Sequence, residues 1–394
     1  LLSVKGKIIM KTLSLSIISA SLLAAMASAS APVNAEELSL KHDSEYVIDG
    51  KIFGLPEAKV YREDYNGPAV VGDYLTQVPN IAKLDYEGNK THDIRMDVFS
   101  QKIEVAPGVT YSAWTFGGSV PGPVLHVREG DRVIFKMKNR SDEEVTITKP
   151  VKNGAPFIQQ LQANGYQNNQ PVVNPMPHSM DFHSGTVAAE DKWRTISPGE
   201  TIEFEWIANY AGTYMYHCGT SSVLMHTAMG QYGAVVVSPK DGYPTDKDVD
   251  KEFVLVQSEH YLEEASEGNY IYNHGAALDR QPSHVTFNGH VAALSDNPLR
   301  ANEGDRVRLH VLNAGPSGTS SFHVIGAIFD RVWYEGDPRN EWYGMQTVLL
   351  GASNSATIEF IVPEEGIYKL VDHEFADAER GAAGALIAGP RKEK

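Results

Sequence analysis

Five sequence markers occur twice in this chain in the same order, and that duplication limits the available folds more than any other feature. Glu129-Gly130-Asp131-Arg132-Val133 returns as Glu303-Gly304-Asp305-Arg306-Val307. A related turn lies upstream of each copy, Phe116-Gly117-Gly118 and Phe287-Asn288-Gly289. Downstream, Thr201-Ile202-Glu203-Phe204 returns as Thr357-Ile358-Glu359-Phe360. Each is followed by a Gly-x-Tyr strand, at Gly212-Thr213-Tyr214 and at Gly366-Ile367-Tyr368. Both copies close on small apolar runs, Gly233-Ala234-Val235-Val236-Val237 and Gly384-Ala385-Leu386-Ile387. Short alternating or apolar runs at 132–137, 201–206 and 306–312, set between Gly, Pro, Asn and Asp turns, read as sandwich strands. The expected fold is therefore all-β, with two tandem β-sandwich domains over 93–239 and 251–390. The charged segment 240–250 would link them, and an acidic N-terminal extension of weak periodicity, 36–92, precedes them.

The start of the chain reads as an export signal. Residues 10–35, MKTLSLSIISASLLAAMASASAPVNA, place a Lys after Met10, then an apolar core to about Met26, then small residues ending Val33-Asn34-Ala35. That is the layout of a secretory signal peptide over 1–35, with Met10 as its start. The apolar run is too short and too rich in Ser to span a membrane, and no later stretch is long enough. With no Cys near the cleavage site, a lipoprotein anchor is excluded. Losing 1–35 removes three Lys and no acid, which takes the formal charge from −16 to −19. The mature protein is expected to be soluble, acidic and periplasmic. Such a charge argues against nucleic acid as a partner, since no excess of Lys and Arg is present to displace phosphate counterions.

Fourteen His stand against a single Cys. One thiol rules out an intramolecular disulfide framework and any Cys-cluster zinc or iron–sulfur site. His178-Ser179-Met180-Asp181-Phe182-His183 gathers two His and an Asp, and His217-Cys218 is followed by His226. A lone exported thiol beside His is open to oxidation unless something occupies it. One Cys with two imidazoles is the ligand set of a blue-copper centre, completed by a weak axial Met or Gln. On a strand, successive side chains point to opposite faces, so His217 and Cys218 cannot easily serve one metal. One would face a site inside the sandwich and the other would face outward, implying a second metal. Asp181 and His183 lie two apart, so on an extended segment they share a side.

These residues carry a resemblance. MPHSMDFH, the strand GTYMYHC with the following His226, the turn WTFGGSVPGP, SSFHVIG and LVDHEFADAERGAAG together resemble the copper-containing nitrite reductases, over roughly 93–390. The resemblance implies two cupredoxin-like Greek-key sandwiches per chain and a homotrimer. It implies nitrite as substrate, and a small cupredoxin or cytochrome c as electron donor. By motif, His178, Cys218 and His226 would hold a type 1 copper that accepts electrons. His183 and His217 would be two ligands of a type 2, catalytic copper, and His373 of a neighbouring subunit the third. Asp181 and His323 match the acid–base pair above the type 2 copper, and Ile325 the apolar residue that shapes the nitrite pocket. Chemistry agrees with those roles. A three-His copper keeps one position open for substrate, imidazole can supply a proton near neutral pH, and the 217–218 peptide bond is a short covalent route for the electron.

Two departures stand out. Where the family carries an axial Met in Gly-Met-x-Gly, this chain has Gly230-Gln231-Tyr232-Gly233, with Met229 two residues earlier. Gln231 is favoured as the axial ligand over Met229, which would need a shifted backbone. An amide oxygen donates more strongly to Cu(II) than a thioether, so a lower type 1 potential is expected. The second departure is an insertion over 150–177, about twenty residues beyond the family's short connection. Ten of the residues from Asn153 to Asn174 are Asn or Gln, which fits a solvated loop or a lip beside the type 1 site that selects the donor.

Two other functions compete on the residues alone. A laccase-like multicopper oxidase draws on four His-x-His motifs, and this sequence contains none. A type 1 copper electron carrier would need neither Asp181, His183, His217, His323 nor His373. The remaining His42, His92, His126, His260, His274, His284, His290 and His310 match no ligand motif and read as surface or core polar residues.

Overall fold

The computed structural model describes residues 45–147 and 170–391. The expected signal peptide and most of the 150–177 insertion lie outside them. The turn inside each Glu-Gly-Asp-Arg-Val copy explains its residues. Gly130 and Gly304 both take positive φ, +96° and +82°, which costs glycine nothing. The following aspartates cap the turn: Asp131 accepts from the backbone N–H of Arg128 at 2.8 Å, and Asp305 from that of Asn302 at 2.8 Å. Each turn opens a strand, Arg132–Lys138 and Arg306–Asn313. In the first, Val133, Phe135 and Met137 are buried while Arg132, Ile134 and Lys136 stay partly exposed, the alternation of a strand with one face in a core.

The duplication extends to strand pairing. Arg132–Lys138 pairs antiparallel with Glu200–Ile207 and parallel with Thr91–Met96. In the second half, Arg306–Asn313 pairs antiparallel with Ser355–Ile361 and parallel with Val249–His260. The facing sheets repeat as well. Gly212–His217 pairs with Tyr232–Ser238, which lies parallel to Val124–Arg128. Gly366–Asp372 pairs with Ala383–Gly389, which lies parallel to Leu299–Asn302. Two sandwiches of one topology result, each filled by side chains from its two inner faces. Val133, Phe135, Phe182, Phe204, Trp206 and Tyr216 fill the first core, and Leu309, Phe322, Phe329, Val332, Ile358 and Phe360 the second.

The 36–92 segment, weakly patterned in sequence, contributes strands to the first sandwich. Lys59–Arg62 pairs with Glu200–Glu203, and Val70–Val71 with Arg95–Met96. These are edge strands of two to four residues, too short to show a period of two. A further sheet joins the halves of the chain, since Asn269–Tyr272 lies parallel to Val109–Phe116. A third apolar cluster, including Val105, Trp114, Met229, Val236, Val256 and Leu312, draws on strands of both sandwiches. Among the described residues, no helix is long and apolar enough to cross a membrane.

Phe182 sits at the centre of the first core, with ring centroids 4.9 Å from Phe135, 5.3 Å from Trp206 and 5.5 Å from Tyr216. Truncation leaves a void that neighbouring strands cannot close. Phe182→Ala is expected to cost about 3–5 kcal/mol of stability, read as a shift in the chemical denaturation midpoint.

Candidate metal centres

Three segments meet at the open end of the first sandwich. His178 is held by a reciprocal pair of backbone bonds with Ile196, at 3.1 and 2.8 Å. Cys218 follows the strand Gly212–His217, and its N–H donates to the carbonyl of Gln231 at 3.2 Å. His226 lies in the short helix Val223–Ala228, whose end is tied to the next strand by Gln231 N–H donating to the His226 carbonyl at 3.2 Å.

Those ties aim four donor atoms at one point. His226 Nδ1 lies 3.3 Å from His178 Nδ1, 3.2 Å from Cys218 Sγ and 3.0 Å from Gln231 Oε1. All four residues are buried, none more than 1 % exposed. Burial pushes His178 down to about 3, with a further contribution from His226, and pushes His226 down as well. Both imidazoles are thus neutral and carry lone pairs near pH 7. Burial raises the Cys218 thiol, partly offset by hydrogen bonds from Ser179 and Thr220. The Ser179 N–H donates to Sγ at 3.4 Å. Trp114 stacks edgewise on both rings, with centroids 5.5 Å from His178 and 4.7 Å from His226. Two neutral nitrogens, a sulfur and an amide oxygen in a dry pocket match the donors of a blue-copper site. The Met229 side chain instead packs in the apolar cluster that draws on both sandwiches.

A second cluster lies on the opposite face of the same strand. Asp181 stands directly across from His217 in the antiparallel pairing, and Phe182 across from Tyr216. Phe182 points into the core, while Asp181 is partly exposed and His183 exposed. His183 Nε2 lies 3.0 Å from His217 Nε2, and Asp181 Oδ2 lies 3.7 Å from the latter. His217 Nδ1 donates to the Cys218 carbonyl at 2.9 Å, so its Nε2 carries the lone pair. Burial raises the Asp181 carboxyl, against the opposing pull of His217. Desolvation also lowers His183, to about 4, with His217 contributing, although part of the side chain stays exposed. Two imidazoles and a carboxylate at this spacing could hold a second metal and keep positions open.

His323, Ile325 and His373 do not join either group within the chain. Among the described residues the ligand atoms of two groups converge, His178/Cys218/His226 and Asp181/His183/His217, and His373 is in neither. On the second sandwich His323 and His373 are neighbours, with ring centroids 5.6 Å apart. His323 Nδ1 donates to the Gln346 carbonyl at 2.5 Å. Beside them Ile325, Leu349 and Phe375 are about half exposed, at 47, 59 and 57 %.

Sequence reasoning did not single out Ser353. Its Oγ lies 3.0 Å from His183 Nδ1, although 170 residues separate them along the chain. A Ser in a surface loop carries no motif, and only the packing of the second sandwich on the first brings it there. The histidines without ligand motifs divide between interior and surface. His92, His126, His260 and His310 are buried with polar partners, and His274, His284 and His290 are not buried. His42 lies outside the described residues.

The chain is similar to several known copper proteins. The family model described as multicopper oxidase matches residues 97–175 and 175–242. A copper-containing nitrite reductase of Neisseria meningitidis is 36 % identical over 322 residues, covering 80 % of this chain and 74 % of the relative. A copper-containing nitrite reductase of Alcaligenes xylosoxydans is 30 % identical over 314 residues, covering 75 % of this chain and 85 % of the relative. The solved copper nitrite reductase of Nitrosomonas europaea superposes with a TM-score of 0.61 at 32 % identity, covering 77 % of this chain and 94 % of that one. The fold and the paired donor clusters thus define a two-domain, cupredoxin-like copper protein. This chain belongs to the copper-containing nitrite reductase family.

The buried, raised thiol sets a direct expectation. In the metal-free native protein, Cys218 should resist alkylation by iodoacetamide at pH 7 and react promptly once the chain is unfolded. The thiolate is the reactive form and needs solvent access, so fast labelling of the native protein would contradict the burial.

Proposed function

We propose that this protein reduces nitrite to nitric oxide, taking electrons at the buried cluster and using them at the surface cluster. The observation that carries the reading is the adjacency of His217 and Cys218, consecutive residues that serve two donor sets on opposite faces of one strand. The reaction adds one electron and two protons to nitrite, breaks one N–O bond, and releases nitric oxide and water. Copper would supply a one-electron relay at His178, Cys218, His226 and Gln231, and a Lewis-acidic seat for nitrite at His183 and His217. Each donor set would hold one copper, two per chain.

The chain's own groups perform the rest. Asp181, beside the two imidazoles, is placed to hydrogen-bond nitrite and deliver a proton, and burial keeps its carboxyl protonated to higher pH than an exposed aspartate. Because that pKa is raised, activity falls as pH rises through it and the donor is lost. The hydrogen bond from His323 Nδ1 to the Gln346 carbonyl leaves Nε2 free to exchange the second proton.

His373 completes the surface site from a neighbouring chain, in a homotrimer. The support is its place on the second sandwich, apart from His183 and His217, among half-exposed Ile325, Leu349 and Phe375. Apolar side chains so placed are buried by a subunit interface, and Ile325 would then shape the nitrite pocket. A small cupredoxin or cytochrome c is the proposed donor, and the segment 10–35 supports export to the periplasm.

The test is nitric oxide formation from nitrite with an artificial reductant, alongside copper analysis. Two coppers per chain and activity are expected; four would favour an oxidase and one a carrier. His373→Ala should lose the surface copper and the activity together. Asp181→Asn should lower the rate by about 10²–10⁴-fold, the usual value of a positioned proton donor, and remove the high-pH fall. Gln231→Met should raise the type 1 reduction potential, since a thioether stabilises Cu(II) less than an amide oxygen. An unchanged potential in spectroelectrochemistry rejects Gln231 as the axial ligand.

A further inference from the structure

We propose that Ser353 is a positioning residue for the surface metal site: its hydroxyl, presented by the second sandwich of the same chain, holds the His183 ring with Nε2 turned toward His217. The inference rests on the reading that His183 and His217 hold a copper.

An imidazole that ligates a metal is neutral and keeps one N–H, on the nitrogen the metal does not use. Its Nδ1 lies 3.0 Å from Ser353 Oγ, and its Nε2 lies 3.0 Å from His217 Nε2. When a metal takes the Nε2 lone pair, the ring proton sits on Nδ1 and the hydroxyl accepts the Nδ1–H hydrogen bond. Without a metal the same hydroxyl can donate to Nδ1 while Nε2–H donates to His217, so the ring keeps one orientation in both states. His217 is already set by a carbonyl, which can only accept. For His183 the Ser353 hydroxyl, which can accept or donate, holds the ring orientation. A partner on the second nitrogen of a ligating imidazole fixes ring orientation and raises ligand basicity.

The backbone at Ser353 shows that the position is held against resistance. Its φ is +72°, in the left-handed region that a residue with a Cβ adopts only at a cost. Surrounding bonds impose it. Ser353 N–H donates to the Asn313 carbonyl at 2.7 Å, Asn354 N–H to Gly351 at 3.0 Å, and Asn313 N–H to Asn354 at 3.0 Å. Asn313 is itself buried and donates from its side chain to the carbonyls of Gly318 and Leu350. The next strand, Ser355–Ile361, grips the strand that carries His217. Ser355 Oγ donates to the Thr213 carbonyl, and Thr213 N–H donates to the Glu335 carbonyl at 2.7 Å. One loop of the second sandwich thus sets His183 while its neighbours anchor the strand of His217. The two-imidazole half of the site is assembled within one chain, by both sandwiches, before a third imidazole arrives from another.

The test compares Ser353→Ala and Ser353→Gly with the wild-type full-length holoenzyme. Both remove the hydroxyl, and glycine accepts the positive φ without strain, so the loop keeps its path. Type 2 copper affinity is read by chelator competition, and its environment by the electron paramagnetic resonance hyperfine splitting, without nitrite. The expected result is about 10- to 100-fold weaker type 2 binding and an altered splitting in both variants, with the type 1 absorption band and thermal midpoint of the wild type. Wild-type affinity and splitting in both variants overturn the proposal. Weakened binding supports it even if the wild-type enzyme forms no nitric oxide, a result that would remove the nitrite reading alone. Unchanged binding in an enzyme active on nitrite overturns this inference alone.

Discussion

The alternation of side chains along the strand Gly212–His217 is the constraint on which both candidate metal centres depend. Tyr216 and the partner Phe182 point into the core, which turns His217 and Asp181 outward. Cys218, one residue on, turns back into a dry pocket closed by Trp114 and the end of the helix Val223–Ala228. Slipping this strand by one residue would exchange its faces, exposing the thiol and burying the imidazole. The aromatic cluster of Phe135, Phe182, Trp206 and Tyr216 therefore holds register for two sites as well as stability for one sandwich.

The two centres differ because their surroundings do. At the buried centre burial removes water, neutralises both imidazoles and leaves a soft donor set with nothing to exchange. At the surface centre the imidazoles are reachable and a carboxylate with a raised pKa stands beside them. That division suits an electron relay on one side and proton-coupled chemistry on the other. One peptide bond separates them.

The second sandwich is more than a copy of the first. Its loop 351–354 supplies Ser353 to His183, and its neighbouring strand supplies Ser355 to Thr213. Buried polar contacts continue along the junction, where His310 lies between Thr213, Thr357 and Glu252. Desolvated networks of this kind tolerate few relative placements of the parts they join. Such a junction fixes the geometry of the surface centre from the side away from the core.

Much of this was legible in the order of residues. The repeated Gly-Asp turn, the alternating runs after it and the closing apolar strands announce two sandwiches, because turn chemistry and a period of two are local properties. The ligand candidates were legible for the same reason: His178 to His183 and His217 to His226 are short segments whose spacing can be read directly. The strands of 36–92 were not, because edge strands of two to four residues carry no usable period. Gln231 over Met229 was a choice between neighbours in sequence, and the 3.0 Å approach of Oε1 to His226 supports it. The sequence by itself thus determined the fold class, the repeat and the donor types, all of them short-range. Only the tertiary structure decided which donors converge, that His373 stands apart from His183 and His217 in one chain, and that Ser353 reaches His183 across 170 residues. Those outcomes depend on how two finished sandwiches pack, which no local pattern encodes.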